Sequence, residues 1–117
     1  EPPSGMPGVE TMVPLMLQEV VNQHLELSRL VNSMAEAPAD RLGLNRGRIA
    51  QGQPADFMFV DLKNSEKISV DKLHSRSNWS PFEDWQAIFP HKVFRRGELI
   101  SENSEVVSNG GGRNLFD

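Results

Sequence analysis

An α+β fold follows from two different apolar spacings that divide this 117-residue chain. In the first half, apolar residues recur at three- and four-residue steps, as one face of a helix requires. In the second half, short apolar runs are bounded by Gly, Pro and Asn, the punctuation of strands and tight turns. Hydrophobic residues make up 38% of the chain and aromatics 7%, with no Tyr, so the core it can bury is thin.

Val9, Met12, Val13, Met16, Val20 and Val21 mark the first helix face. Pro14 dates its start, because proline is tolerated in a first turn and costs about 3 kcal/mol in a helix interior. The helix therefore begins near Thr11 or Met12, with Glu10 and Thr11 as candidate caps. Leu15 and Leu17 widen the stripe beyond what a lone surface helix needs, so it should pack on a sheet and on a second element. Leu27, Leu30, Val31 and Met34 make a second helical face from Glu26 to Ala35. Pro38 then opens a short third turn through Leu42, stopped by Gly43. These stripes read as packing surfaces.

Ala55 to Leu62 reads as a buried strand, and Lys92 to Ile100 as a hairpin turning at Arg96-Gly97-Glu98. Between them, Ser75 to Phe82 is irregular and carries Trp79, an aromatic expected to anchor the loop to a sheet edge. Two or three strands cannot close a sandwich, so part of the sheet is expected to be missing from this chain. The opening run Glu1 to Gly8, with three prolines and two glycines, is either a loose terminus or a loop whose backbone approaches something closely. Ser108 to Asn114 has the composition of a flexible tail.

Composition excludes several functions. Lys and Arg number 12 against 16 Asp and Glu, a net charge of -4, which offers no bulk attraction for nucleic acid or an anionic membrane. Without cysteine there is no disulfide framework, thiol nucleophile or thiolate metal site. The longest apolar run, Met12 to Leu17, falls far short of the ~20 residues that span a bilayer, and a cytoplasmic protein is expected. His24, His74 and His91 have no zinc-binding spacing, and no nucleophile elbow, P-loop or dinucleotide fingerprint occurs. Arg46/Arg48 and Arg95-Arg96 read as solvated basic pairs, and adjacent Glu83 and Asp84 imply no acid–base couple. Composition and spacing name no reaction.

The order of motifs resembles the C-terminal end of the amidohydrolase superfamily, in its cyclic amidase branch. Pro3 to Thr11, followed by Met12 to Leu17, resembles the segment after the last barrel strand of dihydroorotases. Ala37-Pro38-Ala39-Asp40-Arg41-Leu42-Gly43-Leu44 is similar to the family's NPA-x-x-x-GL helix, with Ala37 in place of Asn. Arg46 to Asp61 resembles its KG-x-I-x-x-G-x-x-AD…D strand pair, with Arg46 in place of Lys. Ser80-Pro81-Phe82 and the hairpin Val93 to Ile100 match the closing strands. The Gly-x-x-Ala-Asp motif is common to the superfamily. Hydantoinases and allantoinases depart from the pattern at Glu10-Thr11, which tilts the resemblance toward dihydroorotase.

The resemblance implies a C-terminal fragment of a (β/α)8-barrel enzyme carrying the last barrel helices and part of a composite β-sandwich. Residues 1–45 would end the barrel (active-site loop, last helix and linking helices). Residues 46–107 would supply the C-terminal part of the sandwich, and 108–117 a flexible tail. It also implies hydrolysis or formation of the cyclic amide of dihydroorotate, interconverted with N-carbamoyl-aspartate in pyrimidine synthesis. Zinc serves this chemistry in the full-length enzyme, with its ligands upstream of Glu1, so this segment alone should bind no metal, hold no catalytic residue and be inactive. Pro3, Ser4 and Gly5 would bind substrate by offering backbone groups to its ring amide. The implied partners are the missing N-terminal portion, the small-molecule substrate, and a second copy or aspartate carbamoyltransferase. Two alternatives share the resemblance: a non-catalytic scaffold partner of that transferase, and another cyclic amidase of hydantoinase or allantoinase type. An autonomous binding domain is disfavoured by the incomplete strand set.

Overall fold

A computed structural model describes residues 3–108 and 110–116; Glu1 and Pro2 of the opening run, and Asn109 and Asp117 of the tail, lie outside them. Helix α1 spans Met12–Val21, with Pro14 in its first turn as the sequence requires. Thr11 stands at the N-cap position, but neither it nor Glu10 caps with its side chain. The Thr11 hydroxyl and the Thr11 and Met12 N–H groups all turn back to the Gly8 carbonyl. The Glu10 carboxylate is used elsewhere.

The second and third helical stretches are one continuous run. Helix α2, Leu27–Val31, passes through a π-helical turn, Asn32–Glu36, into helix α3, Ala37–Arg41. The break expected at Pro38 is absorbed by that widened turn, in which the Ala37 N–H reaches the Asn32 carbonyl. A π turn makes room for a residue that cannot join the regular ladder. Gly43 ends the run as expected, at φ +67°. The Gly43 and Leu44 N–H groups bond the Asp40 and Ala39 carbonyls at 3.1 and 2.9 Å, a Schellman cap.

Among the described residues, six short strands follow: β1 Phe57–Phe59, β2 Glu66–Lys67, β3 Gln86–Ala87, β4 Lys92–Arg95, β5 Glu98–Glu102 and β6 Glu105–Val106. An antiparallel sheet runs in the order β1-β4-β5-β6, and β2 pairs with β3 separately. The expected hairpin is present, with a tight turn at Arg96 and Gly97, both at positive φ (49° and 79°). Such turns match the twist of the flanking strands. The expected strand over 55–62 is corrected. Only three of its residues are in the ladder, and Met58 and Phe59, on opposite faces of β1, are both exposed. Phe57 stacks on Phe94 at 5.0 Å between ring centroids, with Phe59 edge-on to both.

The core lies between α1, α2 and β3, where Leu17, Leu30 and Ile88 are buried among Val13, Met16, Val20, Leu25, Met34, Val60 and Leu62. The Ile88 N–H donates to the Pro14 carbonyl at 3.0 Å and fastens the end of β3 to the helix. Helix α1 thus packs on β3 on one side, and against α2. The rest of its wide apolar stripe lines an open groove. Trp79 is largely exposed; the aromatic pair in this region is Phe82 and Trp85, edge to face at 5.3 Å. The tail folds back on the hairpin turn, where an Arg96 Nη2 N–H donates to the Gly111 carbonyl at 2.7 Å.

Candidate functional site

Pro3, Ser4 and Gly5 form an exposed stretch ahead of α1. Beyond Gly5 and its chain neighbours, no described atom lies within 4 Å of where a Gly5 Cβ would stand, so the backbone there is open to approach. The base of this loop is held firmly. Thr11 is buried, and Gly8 takes its hydrogen bonds as above.

A second fastening comes from far along the chain. The Glu10 carboxylate accepts the His74 backbone N–H at one oxygen and faces His74 Nδ1 with the other, both at 2.8 Å. Together the loop base and Leu73-His74-Ser75 enclose a cleft of about 340 Å³. The hydrogen bond and negative charge of Glu10 push the His74 pKa above the ordinary histidine value, and Glu105 adds to the effect. The sequence offered Glu10 as a candidate helix cap and showed no zinc-binding spacing for His74. Sixty-four residues separate them, and no local pattern joins the two.

The remaining histidines are engaged separately. His24 Nδ1 meets Glu19 at 2.7 Å, and His91 Nδ1 meets Asn103 Oδ1 at 2.6 Å. Among the described residues, no group of three or more His, Cys, Asp or Glu is placed to hold a metal ion. The described residues therefore do not form a zinc centre by themselves, and no chemical step through zinc is derived from them.

The basic pairs are not merely solvated. Arg48 forks onto both carboxylate oxygens of Asp40 at 2.7 and 2.6 Å, which holds that carboxyl below the usual range. Arg46 pairs with Asp56, whose other oxygen accepts the Arg96 N–H at 2.7 Å while the Ala55 carbonyl accepts the Gly97 N–H at 3.0 Å. The Ala-Asp pair of the Gly-x-x-Ala-Asp motif therefore grips the β4–β5 turn and is structural in this chain. An open groove of about 800 Å³ is walled by Met6, Val9, Met12, Met16, Phe82 and Trp85.

A helical lead-in behind a Pro/Gly loop is thus joined to a small antiparallel sheet whose turn is gripped by an Ala-Asp pair. The amidohydrolase family model matches residues 6–100, and the chain belongs to that family. It is 44% identical to a dihydroorotase of Thermoplasma volcanium over 94% of its own length. A dihydroorotase of Methanosarcina acetivorans is 45% identical over 93%. The chain spans about a quarter of the length of these relatives, 26% and 24% respectively. Among solved structures, an L-hydantoinase from Arthrobacter aurescens superposes with a TM-score of 0.83 at 33% identity, covering 89% of this chain and 24% of that one. A D-hydantoinase from Thermus sp. gives 0.85 at 28% identity, covering 92% of this chain and 24% of its own.

Proposed function

We propose that this chain is the C-terminal part of a zinc-dependent dihydroorotase, in which residues 1–45 close a (β/α)8 barrel and residues 46–107 complete a composite sandwich. The observation that carries the reading is identity of 44% and 45% to dihydroorotases over more than nine tenths of the chain. The reaction adds water across the ring amide of dihydroorotate: the C–N bond breaks, the carbonyl carbon gains the oxygen, and the nitrogen takes a proton, giving N-carbamoyl-aspartate. Metal chemistry would come from residues outside this chain. The part assigned to this segment is recognition, with the exposed backbone of Pro3, Ser4 and Gly5 offered to the ring amide.

The hydantoinase matches support a second reading, a cyclic amidase acting on a hydantoin or dihydropyrimidine ring. The test is turnover by the full-length protein carrying this segment, with dihydroorotate, hydantoin and allantoin supplied separately. Selective conversion of dihydroorotate to N-carbamoyl-aspartate supports the first reading. Preference for hydantoin supports the second. Failure with all three by a metal-loaded protein that binds aspartate carbamoyltransferase would replace both with a scaffold role.

A further inference from the structure

We propose that Glu10 is a positioning residue: with both carboxylate oxygens on His74, it latches the 3–8 loop to the 73–75 segment and so sets where the backbone of Pro3, Ser4 and Gly5 meets substrate. The inference rests on the reading of that loop as a substrate loop and adds how the loop is aimed.

The argument starts from the loop's composition. Pro3, Gly5, Pro7 and Gly8 make no regular ladder, and the loop's own hydrogen bonds gather at its base, on the Gly8 carbonyl. That base fixes where α1 begins but leaves the direction of the preceding residues free. Glu10 adds a second fastening beside that base, because two bonds from one planar carboxylate fix orientation as well as distance. Its partner His74 belongs to the stretch just after a 3₁₀ turn, Val70–Lys72, which the Glu83 carboxylate pins by accepting the Val70 N–H at 2.8 Å. The loop is thereby referred to the β2–β3 unit, not to its own helix alone.

The latch is also graded by pH. One of its bonds, from the His74 backbone N–H, does not titrate. The other is charge-assisted while the ring is protonated and becomes a neutral Nδ1–H bond when it is not. Because Glu10 raises the His74 pKa, the full latch is present below the ordinary histidine value and weakens as pH rises through the elevated one. Charged neighbours are Glu66, Lys67 and Lys72, which share a small cavity with Glu10, and Glu105 on β6, which acts on His74. His74 is 51% and Glu10 33% exposed, so the effect is moderated by water.

The experiment compares the full-length protein with Glu10→Gln and His74→Asn, measuring kcat and KM for dihydroorotate across the histidine pH range. Glu10→Gln is expected to raise KM about three- to five-fold at neutral pH, the worth of one partly exposed charged hydrogen bond. Parent KM should climb with pH. His74→Asn keeps a donor at the Nδ1 position without a titrating proton, so its KM should not change with pH. Independently of activity, hydrogen exchange at the Gly5, Met6 and Gly8 amides should quicken in Glu10→Gln, and the His74 ring should titrate at lower pH. Unchanged exchange and an unmoved His74 titration in that variant would overturn the latch. Lack of dihydroorotate turnover by the parent would instead remove the functional reading, and the exchange and titration data would still decide the latch.

Discussion

Replacing Asp56 tests whether the Ala-Asp motif serves the fold. Its carboxylate makes two interactions: an ion pair with Arg46 and a charged acceptor bond from the Arg96 N–H at 2.7 Å. A hydrogen bond to a charged group contributes about 1.5–3 kcal/mol when shielded. Asp56 is 33% exposed, which lowers this to about 1–2 kcal/mol, and the partly exposed ion pair adds about 0–1 kcal/mol. Asp56→Ala should therefore cost about 1–3 kcal/mol. Asp56→Asn keeps an oxygen for the Arg96 N–H and loses only the charge, at about 1 kcal/mol. Urea unfolding of the 117-residue chain, followed by circular dichroism, should show the midpoint for Asp56→Ala falling by about 0.7–2 M, with a slope near 1.5 kcal/mol/M. Arg46→Gln should match Asp56→Asn, and combining the two should add little, since both remove one pair. Equal losses from Asn and Ala, or a loss below about 0.5 kcal/mol from Ala, would refute the reasoning.

Gly47 sits at φ +85°, and a Cβ there would stand 2.5 Å from the Ala35 carbonyl oxygen, so Gly47→Ala should cost about 3 kcal/mol in the same unfolding assay. Ile88 is fully buried in the core, and Ile88→Ala should cost about 2–4 kcal/mol, with Leu17 and Leu30 losing protection in hydrogen exchange. The Arg48 fork lowers the Asp40 pKa, so its stabilisation is present above the ordinary carboxylate value and is lost as pH falls through the lowered one. NMR titration should therefore find Asp40 moving up toward the ordinary value in Arg48→Gln; an unmoved titration would contradict the pairing.

Local chemistry made much of this fold legible. Pro14 located the start of α1, Gly43 the end of α3, and Arg96-Gly97 the hairpin turn, because each expresses a φ or donor constraint within a few residues. Strands β2, β3 and β6 have two residues each and carry no readable period, so they exist only through partners such as Ala87 opposite Glu66. The strand at Phe57 was visible, but its burial was misjudged, since an apolar run reports preference and not the presence of a cover. The site was less legible. The resemblance singled out the loop at Pro3, Ser4 and Gly5, whereas the Glu10–His74 fastening joins residues 64 positions apart and had no local signature.

Two concavities, of about 800 and 340 Å³, flank the segment that leads into α1, and both are walled mainly by apolar groups. The groove along α1 is the bigger, yet its walls are Met6, Val9, Met12, Met16, Phe82 and Trp85, with Gln18, Glu19, Asn22 and Gln86 as its polar members. Gln18 already donates to Asn22, and Glu19 accepts from Asn22 and faces His24, so the polar edge is largely committed. A surface of that kind rewards the burial of another apolar surface and offers little to a ring amide, whose N–H and C=O must be paired once taken from water. The smaller cleft beside the loop is also mostly apolar, with Val9 and Leu73 in its lining, and differs in carrying the Glu10–His74 pair. Size alone would place a ligand in the groove. On grounds of lining, the groove suits the burial of another apolar surface, and the Glu10–His74 pair is what distinguishes the cleft.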